Sequence, residues 1–152
     1  MDIVVSPADV DRVVASGLLA ELDAELLSRY PGEPVNGIDP EEFRRADGYF
    51  VLAHAQAELA GCGAFRPYGP STVEIKRMFV RRGLRGCGIG RIVLRALEAE
   101  AMHRGYAESI LETAQRMPEA IALYRRCGYQ VTEPYGPFIG SARSVCMRRT
   151  LR

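Results

Sequence analysis

A glycine- and arginine-rich run from Val80 to Arg91 has the composition of an anion-binding loop. It reads Val-Arg-Arg-Gly-Leu-Arg-Gly-Cys-Gly-Ile-Gly-Arg, with glycines at Gly83, Gly86, Gly88 and Gly90. Glycine permits positive φ angles and leaves no side chain in front of the backbone N–H groups, so several amides can point at one anion. A helical pattern follows and adds the free amides and positive dipole end of a helix N-terminus. The run is predicted to bind a phosphate-like group, with charge added by Arg81, Arg82, Arg85 and Arg91.

Two common phosphate-binding loops do not match this run. A nucleoside-triphosphate loop requires Lys and then Ser or Thr after Gly88, where Ile89 and Gly90 stand. A dinucleotide fingerprint requires Gly or Ala at Arg91 or at Val93, depending on its starting glycine. A flexible surface turn is the other interpretation of a glycine cluster. The strand-like run before it, the helix after it and the arginines favour the anion-binding loop.

The elements that must position this loop are predicted from hydrophobic periodicity and from turn residues. The predicted strands are Ile3 to Ser6, Tyr49 to Ala55, Leu59 to Phe65, Thr72 to Val80, Ser109 to Ala114, Tyr129 to Thr132 and Ser144 to Met147. The first predicted helix runs from Val10 to Leu27, is entered through Ser6 and Pro7, and is broken near Gly17. The second runs from Arg91 to Arg104 and is followed by Gly105. The third starts at Pro118 and is capped by Gly128. Loops are predicted at Tyr30 to Pro40, Arg66 to Pro70 and Pro134 to Phe138.

Length and composition exclude several classes of protein. The 152 residues fit a single domain, 1–152, which is long enough to bury a core without disulfides. A net charge of +1 argues against a general nucleic-acid or membrane-surface binder. The four cysteines and two histidines have no metal-ligand spacing, so free thiols and no metal are predicted. The N-terminal residues lack a signal-peptide pattern and no apolar run is long enough to span a membrane, so the prediction is a cytoplasmic protein.

Three motifs together resemble the GNAT superfamily of N-acetyltransferases. They are a strand that ends Glu-Ile-Lys-Arg-Met-Phe-Val, the loop Arg85-x-x-Gly88-x-Gly90, and the later stretch from Ala120 to Tyr129. The resemblance is strong from about Val73 to Tyr129. It implies a mixed α/β fold with a central, mainly antiparallel sheet of about seven strands, flanked by helices. Two adjacent parallel strands would splay apart to admit acetyl-coenzyme A.

The resemblance also implies which residues bind acetyl-coenzyme A. The pyrophosphate would lie on the loop and the helix start that follows it, at Arg85, Gly86, Cys87, Gly88, Ile89, Gly90 and Arg91. Backbone groups of Met78, Phe79 and Val80 would bind the pantetheine arm, although packing in the core is another role for Met78 and Phe79. Many family members carry Asn where this chain has Met117. The hydrogen bond of that Asn would be lost here, or supplied by another residue such as Gln115.

Tyr124 and Glu74 are the catalytic residues that the resemblance implies. Tyr124 matches the tyrosine that protonates the departing thiolate, and a tyrosine is protonated at neutral pH; helical periodicity alone would make it a core residue. Glu74 matches a general base of some members. A salt bridge to Lys76 or an arginine is its other role, and Glu112 is a second candidate base. Strand alternation places Glu74 on the same face as Lys76, Met78 and Val80.

The predicted function is transfer of acetyl from acetyl-coenzyme A to a primary amine by direct attack. A small-molecule amine or an amino acid is favoured over a protein, because no acidic tract marks a site for a basic tail. The predicted partners are therefore acetyl-coenzyme A and the amine, without nucleic acid or membrane, and a homodimer is allowed. Cys87 has no histidine near it in sequence to activate it and is interpreted as structural. The alternatives are a non-catalytic acyl-coenzyme A sensing module or an interaction domain without a ligand.

Overall fold

The fold is described from a computed structural model, which covers residues 1–32, 40–45 and 47–151. In chain order the elements are β1 (Ile3–Ala8), α1 (Val10–Ala15), α2 (Leu18–Arg29), α3 (Pro40–Arg45), β2 (Tyr49–Ala55), β3 (Glu58–Pro67), β4 (Thr72–Val80), α4 (Ile89–His103), β5 (Glu108–Ala114), α5 (Pro118–Arg126), β6 (Gln130–Val131) and β7 (Ser144–Thr150). Short 3₁₀ helices occupy Arg82–Leu84 and Gly136–Phe138. The predicted Tyr30 to Pro40 loop lies mostly outside the described residues.

The strands form one seven-stranded sheet in the order β1-β2-β3-β4-β5-β7-β6. Every neighbouring pair is antiparallel except β4 and β5, which run parallel. This confirms the predicted mixed α/β fold with a mainly antiparallel sheet and one parallel pair.

Helices cover both faces of the sheet and create two cores. On one face, α4 and α5 pack on the sheet through residues such as Val93, Leu97 and Tyr124. On the other face, α1, α2 and α3 pack through residues such as Val13 and Leu22. The sheet, which includes β4 and β5, therefore lies between two hydrophobic layers.

A β-bulge in β4 changes which face its side chains occupy. Two residues of β4, Arg77 and Met78, stand opposite Gly63 of β3, and Arg77 has a φ of +58°. Such an extra residue shifts the alternation of side chains along the strand. Glu74 and Lys76 consequently face the α2 side, whereas Met78 packs against the α4 side.

The bulge makes one sequence prediction wrong. Simple alternation placed Glu74 on the same face as Met78 and Val80. In the structure Met78 and Val80 pack against the core under α4, on the face opposite Glu74. Phe79, between them, belongs to the core under α2. The sequence pattern did not indicate the bulge, because polar and apolar residues occur in β4 both before and after it.

The parallel strands separate beyond their fourth residue pair. Pairing between β4 and β5 runs from Thr72 with Glu108 to Ile75 with Leu111 and then stops. The continuations of the two strands, from Lys76 and from Glu112, therefore flank a gap in the sheet. This confirms the predicted splayed strand pair.

Several predicted boundaries differ from the observed ones. β1 continues through Pro7 to Ala8, and the first helix is capped by Asp9, whose carboxylate accepts a hydrogen bond from the Arg12 amide at 2.8 Å. Pro7 is tolerated in the strand because β1 lies at the sheet edge. α4 begins at Ile89 rather than Arg91, and β6 is only two residues long. The break near Gly17 is confirmed, whereas α3 was not predicted.

Candidate active site

A cavity lies in the gap where β4 and β5 separate. Its walls come from β4, β5, α2, α5 and the segment before β7. The polar residues that line it are Tyr30, Glu74, Lys76, Arg77, Glu112, Thr113, Tyr124 and Arg143. Both predicted catalytic residues, Tyr124 and Glu74, therefore line the same cavity, and so does the second candidate base.

The glycine-rich loop presents backbone amides at the start of α4. Gly86 and Gly88 have φ angles of +80° and +84°, and Gly88 is the N-cap of α4 without a side-chain cap. A Cβ at either position would meet no atom within 4 Å. Gly90 has a different role, because a Cβ there would lie 3.1 Å from Leu123 of α5. The open, uncapped helix start is the geometry that binds an anion.

Most arginines of this loop are held by carboxylates of α2. Arg81 pairs with Glu21 at 2.9 Å, and both Arg82 and Arg85 pair with the buried Glu25. The Arg85 Nε also donates to the Val80 carbonyl at 2.7 Å, and its guanidinium lies over the Phe79 ring. These side chains brace the loop against α2, while Arg91 is exposed at the helix start. The backbone amides and Arg91 are thus the groups of this loop that are not engaged with α2.

Tyr124 is buried on α5 with its ring edge against Tyr129. The two ring centroids lie 5.9 Å apart, and the Tyr129 hydroxyl donates to Glu98 at 2.8 Å and contacts Ser109 at 2.8 Å. Glu98 also accepts from Arg95 and Arg149, so the network that supports Tyr129 is anchored at several points. Burial raises the pKa of Tyr124 above its usual value. Tyr124 therefore remains a phenol that can donate a proton.

Glu74 sits in a buried network of charged and polar groups. Its side chain is 2% exposed; one oxygen accepts from Arg66 Nε at 2.9 Å and the other from the Tyr135 hydroxyl at 2.7 Å. The Lys76 ammonium lies 3.9 Å from the first oxygen. The salt bridge to an arginine, which was one of its two predicted roles, is therefore present, and a carboxylate keeps further acceptor sites for a proton.

Glu112 lines the gap on the opposite strand. Its carboxylate accepts a hydrogen bond from Ser144 Oγ at 2.9 Å. Burial raises the pKa of Glu112, while the Ser144 hydrogen bond and Lys76 oppose that shift. A carboxylate with a raised pKa is a stronger base toward an acceptor ammonium.

Comparison with known proteins identifies the family. The sequence matches the family model for the Acetyltransferase (GNAT) family over residues 17–129, well over half of the chain. The chain belongs to the GNAT family of acetyltransferases.

Individual relatives agree with the GNAT assignment. An IAA acetyltransferase of Azospirillum brasilense is 35% identical over 139 residues, 88% of each chain. The uncharacterized N-acetyltransferase YsnE of Bacillus subtilis is 32% identical over 123 residues, 80% of this chain and 82% of the relative. The chain is thus similar along most of its length to N-acetyltransferases, and as a GNAT protein it is an acyltransferase enzyme.

Solved structures share the GNAT fold over almost the whole chain. A Klebsiella pneumoniae protein assigned to the acyl-CoA N-acyltransferases is 28% identical, with a TM-score of 0.82 over 99% of this chain and 98% of the other. PaiA N-acetyltransferase from Thermoplasma acidophilum, solved in complex with coenzyme A, is 16% identical with a TM-score of 0.75 over 99% of both chains. The second likeness shows the fold alone.

The family asparagine is absent from this GNAT protein. Met117 is the N-cap of α5 and lines the cavity, where a thioether cannot donate a hydrogen bond. Gln115, the predicted substitute, donates its side-chain amide to the Ala142 carbonyl at 3.0 Å. One N–H of the Gln115 amide is therefore already used within the protein.

Sequence reasoning did not identify several residues of the site. Tyr135 bonds to Glu74, and its ring contacts those of Tyr68 and Phe138 at centroid distances of 5.2 and 5.4 Å. The guanidinium groups of Arg116 and Arg143 both lie over the Tyr30 ring, each 5.0 Å from its centroid. The three predicted loops contain some of these residues, but no local pattern connects Tyr30 with residues more than 80 positions away.

The cysteines, groups of metal-ligating residues and long apolar helices were also compared with the sequence predictions. All four cysteines lie in the described residues as free thiols, and Cys87 is exposed on the loop. Within residues 1–32, 40–45 and 47–151, no group of three or more His, Cys, Asp and Glu residues could hold a metal ion. No helix in that part of the chain is both long and apolar enough to cross a bilayer.

Proposed function

We propose that this GNAT protein transfers the acetyl group of acetyl-coenzyme A to a primary amine. The observation that carries the proposal is the cavity between the separated strands, which is lined by a proton donor, Tyr124, and by the carboxylates Glu74 and Glu112. We also propose that residues 1–152 act as one domain, with the coenzyme and the amine as partners.

The coenzyme is proposed to bind along the loop and the gap. Its pyrophosphate would contact the amides from Gly86 to Arg91, where the positive-φ glycines and the uncapped start of α4 form an anion site. Its pantetheine arm would run along Met78 to Val80, because β4 has no partner strand on its β5 side after Ile75. Coenzyme A in the related Thermoplasma structure supports this choice of ligand.

The chemical step is proposed to be direct attack of the neutral amine on the thioester carbonyl. The new N–C bond forms, the C–S bond breaks, and the acetamide and the coenzyme thiol are the products. A cavity carboxylate accepts the proton that the acceptor ammonium must lose. Tyr124 donates a proton to the leaving sulfur and regains one from the proton that the nitrogen releases as the amide forms. We retain Glu74 as the predicted proton acceptor, with Glu112 across the gap as the alternative.

Release of coenzyme thiol on addition of amines tests the proposal. Acetyl-coenzyme A and a panel of small amines, amino acids and peptides are incubated with the protein, and thiol and acetylated product are both measured. We expect amine-dependent thiol release in equal amount to acetylated product. Binding of coenzyme A without any amine-dependent release over a broad panel would overturn the proposal.

A further inference from the structure

Lys76 is the only lysine in the chain. The other 19 of its 20 basic Lys and Arg residues are arginines, most of them at the surface or in ion pairs with carboxylates. The single lysine occurs on β4 and lines the active-site cavity. A compact ammonium with three donors is thus found where a ligand would bind, and nowhere else.

The Lys76 side chain is mostly buried, and its ammonium has few partners. Its side chain is 15% exposed, and its one charged contact within 4 Å is Glu74 Oε1 at 3.9 Å, too long for a hydrogen bond. It makes no hydrogen bond to any described residue, and its burial lowers its pKa. Glu74 is already neutralised by Arg66, 2.9 Å away. A partly buried ammonium without a hydrogen-bond acceptor is stabilised by an incoming anion.

Glu112 provides the opposite charge on the other side of the gap. Lys76 directly follows Ile75, and Glu112 directly follows Leu111, the last paired residues of β4 and β5. Lys76 and Glu112 are therefore the first residues on the two separated strands, and each affects the titration of the other. A cation and a carboxylate thus stand on the two strands that border the opening of the sheet.

The cavity wall next to this charged pair is apolar. Leu22 and Leu26 of α2 and Phe138 of the segment before β7 line it. These three side chains offer contact surface to a hydrocarbon group, and none of them offers a hydrogen bond. Beside Glu74, Arg77 and Arg143, the cavity therefore combines an ammonium and a carboxylate on opposite strands with an apolar wall.

We propose that the acceptor is a free α-amino acid with an apolar side chain, whose carboxylate binds Lys76 and whose amine faces Glu112. The two charged groups of such a molecule are attached to one carbon, so they fit a pair of opposite charges across one gap. The side chain would pack against Leu22, Leu26 and Phe138. This inference rests on the proposed acetyl transfer and names the substrate of the same site; it places the amine beside Glu112, the alternative proton acceptor, rather than beside Glu74.

Matched acceptors that differ only in the carboxylate test the inference. Leucine is compared with leucinamide and isoamylamine, and phenylalanine with its amide and with phenethylamine, by kcat/KM for thiol release. Leucinamide also represents a peptide N-terminus, and its less basic amine makes it the more reactive nucleophile at neutral pH. We expect the amino acids to be preferred in spite of this difference.

Two variants assign the preference to Lys76. Lys76→Met is expected to lower the ratio of kcat/KM for leucine to that for leucinamide about tenfold or more, the effect expected for one charge-assisted hydrogen bond. Arg12→Met, which removes an exposed positive charge from α1 outside the cavity, should leave that ratio unchanged. Equal use of amino acids, amides and amines by the wild type would overturn the inference while acetyl transfer stands.

A binding measurement on the wild type is independent of turnover. Because the chain has one lysine, protein made with isotope-labelled lysine gives a single side-chain ammonium or Cε signal by NMR. Leucine, in the presence of coenzyme A, should shift this signal, and leucinamide should not. If no amine is acetylated but leucine still shifts the signal, Lys76 binds the carboxylate of the amino acid and only the proposed transfer reaction fails. If no amino acid shifts the signal, the proposed binding site at Lys76 is overturned.

Discussion

Tyr124 is protonated at neutral pH, as a proton donor must be, and burial raises its pKa further. Its pKa is raised, its ring packs against Tyr129, and it lines the cavity. We expect Tyr124→Phe to keep the packing and to lower kcat about 10²-fold or more, the usual contribution of a general acid. Coenzyme affinity should change little.

Tyr129→Phe is the matched control for the Tyr124 variant. It also removes one hydroxyl, but from the buried network with Glu98 and Ser109 rather than from the cavity. It should lower the free energy of unfolding by about 1–3 kcal/mol, the cost of leaving buried partners unpaired, with a smaller effect on kcat than Tyr124→Phe. Wild-type turnover in Tyr124→Phe would make Tyr124 a core residue.

The pH dependence of turnover distinguishes the two roles of Glu74. An acceptor amine with a pKa near that of lysine, about 10.4, is protonated at neutral pH and must lose a proton before attack. If Glu74 accepts it, Glu74→Gln should depress kcat/KM most at neutral pH and recover in part as pH rises. Loss of the buried partner of Arg66 should also destabilise the fold, so the unfolding free energy of the variant is measured alongside.

A purely structural Glu74 would produce a different pH profile. The loss of activity in Glu74→Gln would then be nearly independent of pH, and Glu112→Gln, measured in parallel, would show the recovery at high pH instead. That pair of results would transfer the role of base from Glu74 to Glu112.

Glu112 also affects stability as a function of pH. Its folded-state pKa is raised, so the folded protein binds this proton more tightly than the unfolded chain does. The ionised side chain therefore destabilises the fold, fully so above its folded pKa and not at all below its unfolded value. We expect Glu112→Gln to raise the free energy of unfolding at neutral pH, and this difference from wild type should disappear as pH falls below about 4, near the unfolded pKa. Urea unfolding at several pH values measures the difference. A difference that is constant with pH would contradict the prediction.

At the scale of elements, the loop before α4 and helix α2 form one unit. Glu21 and Glu25 of α2 hold Arg81, Arg82 and Arg85 of the loop. Leu22 and Leu26 of the same helix line the cavity. The element that carries the wall of the proposed acceptor site therefore also fixes the loop that is proposed to hold the coenzyme.

Substitution of Gly88 tests whether the loop binds the pyrophosphate. Gly88→Asp puts a negative side chain at the open, uncapped start of α4, and we expect it to abolish stabilisation by coenzyme A while the fold persists. Gly88→Ala is the control, because it shares the backbone strain at a φ of +84° without the charge. Equal coenzyme affinity in the Asp and Ala variants, measured by calorimetry, would show that the anion binds elsewhere.

At the scale of the whole molecule, the two helical layers hold the separated strands apart, and a ligand in the gap should link them. Coenzyme A at roughly one hundred times its Kd should add about 2.7 kcal/mol to the stability. For a domain of this size that corresponds to a rise in Tm of about 5–10 °C. Thermal melts with and without coenzyme A measure it, and an unchanged Tm at saturating concentration would contradict binding in the gap.

The sequence by itself determined the features that depend on neighbouring residues. The period of the apolar residues predicted β2, β4 and the helical break near Gly17, and turn chemistry placed Gly105 and Gly128 after their helices. The glycine-rich loop was recognisable because its backbone geometry requires glycine at Gly86 and Gly88. Together with two flanking motifs, these local signals were sufficient for the family and the sheet.

Only the tertiary structure decided how the site is assembled. The bulge at Arg77 turns Glu74 and Met78 to opposite faces, and it depends on pairing with β3 rather than on the sequence of β4. Glu74 and Tyr135 are 61 positions apart, and Arg85 and Glu25 are 60 apart. Such contacts form because two hydrophobic layers bring distant segments onto one sheet, and no local pattern records which polar side chains meet there.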